Sequence, residues 1–313
     1  MSRPVSARRP GLGIALVLAA VCCFAGMDTL VKALGKGVPV LPMLWARYAF
    51  QALAMGLWLA AAARGAGFRA AHPRFQAIRG ALLLGSSAAA FHALQVLPLA
   101  EFTAINMLAP VIVTLLAAWV LNEPVSRLRW ALVAGGFAGA LIVIRPGGTV
   151  FSWAVLLPVA GACCYASFQI LTSKLSALES PYTTHFYTGA FGTLVLTPLL
   201  LASGIDLPAL LSGESALTLA AIAMVGLLGT VGHLLLILAF GMAPTATLMP
   251  FLYAQIAVGA ALGWIAFRQL PDAAAWVGMA LVGACGAASA WLNVRQATPR
   301  RPASPVALDT VSE

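Results

Sequence analysis

The sequence predicts an all-α membrane protein, with ten transmembrane helices in two halves of five that enter the bilayer from opposite sides. Three observations predict it. Hydrophobic residues make up 61% of the 313-residue chain and charged residues 9%, against about 25% charged in soluble domains. Ten apolar stretches, near 11–34, 41–63, 80–99, 102–121, 129–145, 151–173, 182–203, 216–240, 245–267 and 273–294, approach the ~20 residues that carry a helix across a ~30 Å hydrocarbon core. Third, the chain repeats itself about 141 residues on: Cys22, Cys23, Ala25 and Leu30 match Cys163, Cys164, Ala166 and Leu171. Helices follow rather than barrel strands because backbone groups in lipid must pair within their own segment, and the stretches lack a strict two-residue alternation.

The first stretch follows a short tail, residues 1–10, that carries Arg3, Arg8 and Arg9. A signal peptide competes for this segment, but the apolar run extends to Leu34, beyond the ~7–15 residues of such a core. It carries Asp28 and Lys32, four residues apart and so on one helix face. Arg47 in the second stretch and Asp28 in the first each lie six residues from the connection between them, ~9 Å deep at 1.5 Å rise per residue. His92 in the third lies at nearly the same level. Pro110 interrupts the fourth, and Glu123 with Pro124 at its end reads as a cap or a contact with Arg127 or Arg129. Gly135 and Gly139 in the fifth have the spacing that lets two helix backbones approach. The first half therefore spans 11–146.

The second half, 151–294, opens with Cys163, Cys164, Tyr165 and Gln169 in the sixth stretch. Ala190 and Phe191 in the seventh match Ala49 and Phe50 in the second, and a polar connection with Asp206 and Glu214 follows from Ser203 to Ser215. His233 in the eighth stretch matches His92, a costly identity in a chain with four histidines. Pro250 interrupts the ninth, beside Tyr253 and Gln255 and before Gly259 and Gly263. The offset drifts later, since Trp119 falls opposite Trp264 and Trp130 opposite Trp276. Five crossings per half is odd, so the second copy is inverted, as in carriers. The tail 295–313, with Pro299, Pro302 and Pro305, is expected to be disordered.

Charge sets an orientation. With the N-terminus inside, cytoplasmic segments hold Arg3, Arg8, Arg9, Arg64, Arg69, Arg74, Arg79, Arg127, Arg129, Lys174, Arg295, Arg300 and Arg301, and outer connections hold Lys36, Arg145 and Arg268. This bias places both termini in the cytoplasm, and a bacterial-type cell inner membrane is the expected location. The net charge of +9 is read as this bias, so no nucleic-acid partner is expected. Trp45, Trp58, Trp119, Trp130, Trp153 and Trp291 near span ends read as interface anchors. All five cysteines fall inside spans, where they act as small apolar residues.

An ionisable side chain inside a span costs about 2.5–3.5 kcal/mol on insertion scales unless it faces a cavity or a partner. One reading makes Asp28, Arg47 and His92 a cavity wall, Arg47 clamping a carboxylate or phosphate and Asp28 an ammonium group or a coupling proton. The other makes Asp28 a static bridge to Arg47 or Lys32. Inversion predicts a mirror cluster of Gln169, Thr188 and His233 near the cytoplasmic side, polar but uncharged apart from the histidine. Tyr165, Asn106, Tyr253 and Gln255 add hydrogen-bonding groups, while Pro110 and Pro250 permit kinks suited to hinge motion or merely to packing. The sequence has no His-Glu-x-x-His, Gly-x-Ser-x-Gly, phosphate loop or paired-cysteine pattern. No catalytic residue, cofactor or metal is expected.

Leu97-Pro-Leu-Ala-Glu-Phe-Thr-Ala-Ile, Ala109-Pro110, Leu121-Asn-Glu-Pro124 and Trp130 resemble the EamA half-domain of the drug/metabolite transporter superfamily. Gly232-His233, Ala243-Pro244, Pro250-Phe-Leu-Tyr253, Gly263-Trp264 and Phe267-Arg-Gln-Leu-Pro-Asp272 resemble it again. The resemblance implies a ten-helix secondary transporter with a central cavity, moving a small polar organic metabolite that is amino-acid-, nucleoside- or vitamin-like. Asp28, Arg47, His92, Gln169, His233, Tyr165, Tyr253 and Gln255 are the candidate substrate contacts, and Lys32, Glu101, Pro110 and Pro250 the candidate gating or coupling residues. Protons are a candidate coupling ion. A metallophore exporter of the same fold, a passive channel and a membrane-embedded enzyme are the alternatives. Gln269 stands where the family often has an acid, which puts one gate contact in question.

Overall fold

The computed structural model describes residues 10–62, 68–109, 111–112, 116, 127–145, 153–176, 178–243, 248 and 251–297. Its regular elements among the described residues are helices: α1 (Pro10–Leu34), α2 (Val40–Ala62), α3 (Pro73–Val96), α4 (Leu99–Asn106), α5 (Arg127–Ile144), a 3-10 turn (Trp153–Val155), α6 (Leu156–Ser176), α7 (Pro181–Ala202), α8 (Leu207–Gly213), α9 (Ala216–Met242), α10 (Ala254–Phe267) and α11 (Ala273–Ala297). Five of these segments are long and apolar enough to cross a membrane, and three shorter apolar helices accompany them. Pro110, Glu123, Pro124, Pro250 and the tail beyond residue 297 lie outside the described residues.

Local chemistry fixes the ends. Pro73 and Pro181 sit in the first turns of α3 and α7, where a missing N–H leaves no bond unmade. Ser215 caps α9 by accepting from the Thr218 N–H at 3.1 Å, and Asp272 caps α11 by accepting from the Ala275 N–H at 2.8 Å. The connection read as a polar loop from Ser203 to Ser215 contains α8, capped by Asp206 accepting from the Ala209 N–H at 3.0 Å. The third helix starts at Pro73, not near residue 80, so Arg79 belongs to the helix and is fully buried rather than cytoplasmic.

Helix pairing follows a pseudo-twofold. Here α1 packs on α9 and α6 on α3, while α2 pairs with α7, α4 with α10 and α5 with α11. Each pair links one half to the other. Directions also invert: Lys32, near the end of α1, donates to the Leu94 and Leu97 carbonyls at the end of α3. Glu179, just after α6, accepts from the backbone N–H of His72, just before α3. Equivalent helices α1 and α6 therefore run in opposite senses.

Small residues bring these helices together. A Cβ at Gly139 would lie 2.8 Å from the Gly278 carbonyl oxygen, so α5 and α11 touch backbone to backbone. Where α2 meets α7, Gly192 leaves room for the Tyr48 ring and Gly189 for the backbone of Ala52. Gly226 and Gly80 each admit one ring, that of Phe50 and that of Phe191 respectively, a hypothetical Cβ standing 2.8 Å and 2.7 Å from the ring. Because Phe50 and Phe191 are repeat mates, this symmetry aligns Gly80 with Gly226. Helices α3 and α9 thus match at an offset of 146, with Val96 opposite Met242 at their ends. The five-residue change enters across the connection that contains α8.

Two helices break beside the interior. Described helix α4 stops at Asn106, and a turn at Met107 and Leu108 precedes the next helical residue. Residues 251–252 are helical, Tyr253 is a turn, and α10 begins at Ala254. Discontinuous backbone at this depth is tolerated where it lines a cavity.

Candidate functional site

The broken helices, together with α1, α2, α3, α6 and α9, line a cavity of about 60 Å³. Its wall contains Asp28, Arg47, Tyr165, His233 and Gln255, five of the residues proposed from sequence, along with Asn106. Ser86, Ser87 and an aromatic set of Phe24, Phe91 and Phe102 complete the polar and ring surfaces. Both halves contribute.

Arg47 dominates the electrostatics. It is 1% exposed, its guanidinium stacks 4.6 Å from the Tyr48 ring centroid, and Nε, Nη1 and Nη2 have no hydrogen-bond partner among the described residues. Five donors in a fixed fork are thereby directed into a protein interior, a costly arrangement that an acceptor-rich ligand would relieve. Gly229 creates the space, since a Cβ there would stand 3.0 Å from Arg47 Nε and 3.1 Å from Met27 Sδ. Asp28 accepts from Gln255 Nε2 at 3.4 Å. Neither static bridge considered from sequence forms: the ion pairs among the described residues are His72–Glu179 and Arg145–Asp272. Lys32 turns to the α3 carbonyls, with Nζ 2.6 Å from the Leu97 oxygen.

The histidines are fixed in tautomer. His233 places Nδ1 3.0 Å from the Gly229 carbonyl, so Nδ1 carries the hydrogen and, in the neutral ring, Nε2 is an acceptor. That Nε2 is buried and has no partner among the described residues. His185 has the opposite arrangement: its Nε2 donates to the Thr230 carbonyl at 3.0 Å, and its Nδ1 accepts from Gln51 Nε2 at 3.2 Å. The two rings stack at 6.5 Å, and the Phe24 edge meets His233 at 4.7 Å.

His92 is a correction. It is exposed, its Nδ1 bonded to its own helix at the Ala88 carbonyl. At the structural offset of 146, His233 lies opposite Ser87, which does line the cavity, and His92 opposite Leu238. A five-residue register difference turns a helix by about 140°, enough to move a side chain from core to surface.

The mirror cluster is charged, contrary to the sequence expectation. Gln169 and Thr188 are buried as inversion suggested, but α3 supplies Arg79 beside Thr188. Arg79 Nε donates to Thr172 Oγ1 at 2.7 Å and Nη1 to the Thr184 carbonyl at 3.0 Å, with the guanidinium 4.5 Å above the Phe168 ring. Sequence reasoning missed Arg79 because it lay just outside the span drawn for the third helix. His185 and Gln51 were missed because neither has a matching polar residue in the other half.

The remaining candidates lie apart. Tyr253 is buried but does not line the cavity; its ring fills the space that the missing Gly286 side chain leaves. Glu101 lies half-buried in the first turn of α4. At that end of the bundle Arg145 pairs with Asp272 across the two halves. The hydrogen bonds from Arg145 and from the Ala275 N–H hold the Asp272 carboxyl below its ordinary range. Asp272, not residue 269, is the acid that joins the halves here.

Relatives agree with this architecture. A riboflavin transporter of Rhizobium johnstonii is 32% identical over 60% of this chain, and the match spans 61% of that protein's own length. An S-adenosylmethionine uptake transporter of Rickettsia bellii is 24% identical over 83% of this chain and 87% of its own. The pseudopaline exporter CntI of Pseudomonas aeruginosa is 28% identical over 86% and 93%. A solved crystal structure covers 92% of this chain and 99% of its own with a TM-score of 0.64, and at 19% identity that likeness establishes the fold alone. The EamA-like transporter family matches residues 11–145 and again 152–288, one copy per half, and this chain is a member of that family.

Proposed function

We propose that this protein is a secondary carrier that moves a small heteroaromatic metabolite across the cell inner membrane by alternating access, with Arg47 as the principal ligand contact. Ten crossings with both termini cytoplasmic follow from the predicted spans and the charge bias. The observation that carries the reading is the Arg47 guanidinium, its three nitrogens without a partner among the described residues in a cavity built by both halves. It suits a carboxylate or the carbonyl edge of a ring imide. Asp28 suits an amine or ring N–H, and Phe24, Phe91, Phe102 and Tyr165 suit a flat ring. Riboflavin and S-adenosylmethionine, named in the relatives, both combine a ring with such groups.

A cavity of about 60 Å³ is smaller than the roughly 300–1,000 Å³ of pockets that hold drug-sized ligands. Loading therefore requires the halves to part, and a ligand drives that step only through a difference in affinity between the two states. Counterflow in proteoliposomes tests the reading, with labelled riboflavin and labelled S-adenosylmethionine as probes. Preloading should accelerate uptake of one of them, and Arg47→Ala should lower its rate per substrate concentration at least about tenfold. Arg47→Lys should recover little, because a point charge does not reproduce the fork. Absence of counterflow for both probes, or parent-level flux in Arg47→Ala, overturns it.

A further inference from the structure

We propose that Arg79, with Gln169 and Thr188, forms a second ligand station that receives the acceptor group of the substrate after it leaves Arg47; this rests on the carrier reading above. Arg79 is fully buried, and Nη2 has no partner among the described residues. Gln169 is 4% exposed and meets the Tyr165 hydroxyl one turn back on α6, with no further partner for its amide among the described residues. Unmade hydrogen bonds at buried groups are costly, about 1–3 kcal/mol each and more for a charged one, so their retention together calls for an occupant.

Placement supports the same conclusion. Gln169 and Thr188 stand at the repeat positions of Asp28 and Arg47, so the station is the inverted image of the first site, its guanidinium supplied by α3 instead of the second helix of the repeat. Arg47 lies seven residues from the start of α2, and Arg79 six from the start of α3, which begins at the opposite end of the bundle. At 1.5 Å rise per residue these depths are about 10 Å from one end and 9 Å from the other, leaving about 15 Å between them along the 23-residue α2. His233, Phe168 and Tyr165 lie in ring contact with one another, Tyr165 on the cavity wall and Phe168 beneath Arg79. They connect the stations.

Charge argues likewise. Two guanidinium groups share this interior with the Asp28 carboxylate and, at the Arg79 end, the buried Glu179 carboxylate, yet no carboxylate lies within salt-bridge distance of either among the described residues. Arg79 is closed over by Thr172, Thr184 and Thr188, bonds that a ligand acceptor would replace as the α3/α7 end opens.

Arg79→Gln, Arg79→Lys and Gln169→Leu, each in the full chain, test the station. Equilibrium binding in detergent and counterflow in proteoliposomes are both measured with riboflavin and S-adenosylmethionine. In Arg79→Gln the affinity of the resting protein should stay within about threefold of the parent while counterflow falls at least about tenfold, with partial recovery in Arg79→Lys. Gln169→Leu should lower counterflow about fivefold at an unchanged melting temperature, which serves if Arg79→Gln does not fold. Parent-level counterflow in Gln169→Leu, or in folded Arg79→Gln, overturns the station and leaves the carrier reading intact. A wild-type protein that counterflows neither probe removes the carrier reading and the station with it.

Discussion

Gly229 sets where the Arg47 guanidinium rests, because its missing side chain is what keeps Nε clear of α9. Gly229→Ala would force a shift of a few tenths of an ångström in Arg47 or Met27, and misplacement of that kind at a binding group is felt strongly. The half-saturating concentration of the transported probe should rise roughly 3–10-fold, with the melting temperature little changed; an unaltered affinity would detach Arg47 from the ligand. Single residues were legible in the sequence where depth on adjoining helices was the signal. Asp28 and Arg47 were polar at equal depth on adjoining helices, and the structure puts both on one cavity wall. His92 shared that depth and matched His233 at a fixed offset, but depth does not fix the face of a helix and the offset does not hold in this one. Arg79 carried no signal, because an arginine near a predicted span end resembles the many that face the cytoplasm. Its burial depends on three threonine residues from α6 and α7, a tertiary arrangement that no local pattern announces.

Helices as elements were readable almost throughout, since length and hydropathy decide them. Their interruptions were readable in kind: Pro110 and Pro250 pointed to breaks in the fourth and ninth helices, and turns at Met107–Leu108 and Tyr253 stand close to them in sequence. Helix α8 was not, because seven residues with a capping acid look like a polar loop. At the ends, the Arg145–Asp272 pair joins the residue after α5 to the cap of α11. Asp272 is held below the ordinary carboxylate range by Arg145 first and by the Ala275 N–H second. A carboxyl depressed in the folded state contributes stability above its unfolded value of about 3.9, and that contribution is lost as pH falls through the folded value. Melting temperature should therefore fall below about pH 4, and Asp272→Asn should flatten part of that fall while leaving the neutral-pH value nearly unchanged, as suits an exposed pair. An identical acid profile in the variant would show that this contact contributes nothing to joining the halves.

Across the whole molecule, inversion couples the two stations to the two membrane faces. Lys32 with the α3 carbonyls marks one end of the bundle, and Glu179 with His72 marks the other. The connection between α1 and α2, containing Gly37, lies at the first end, and the connection between α6 and α7, containing Leu178, at the second. Positive residues gather in the connections of the second end, and on that bias we propose that it faces the cytoplasm and the Arg47 station the outer side. Replacing all five cysteines and introducing one at Gly37→Cys or Leu178→Cys makes this measurable in intact cells. A membrane-impermeant maleimide should label Gly37→Cys directly and Leu178→Cys only after permeabilisation. The reverse pattern would turn the protein over and exchange the order in which a solute meets Arg47 and Arg79, while labelling of both in intact cells would contradict the inverted repeat itself.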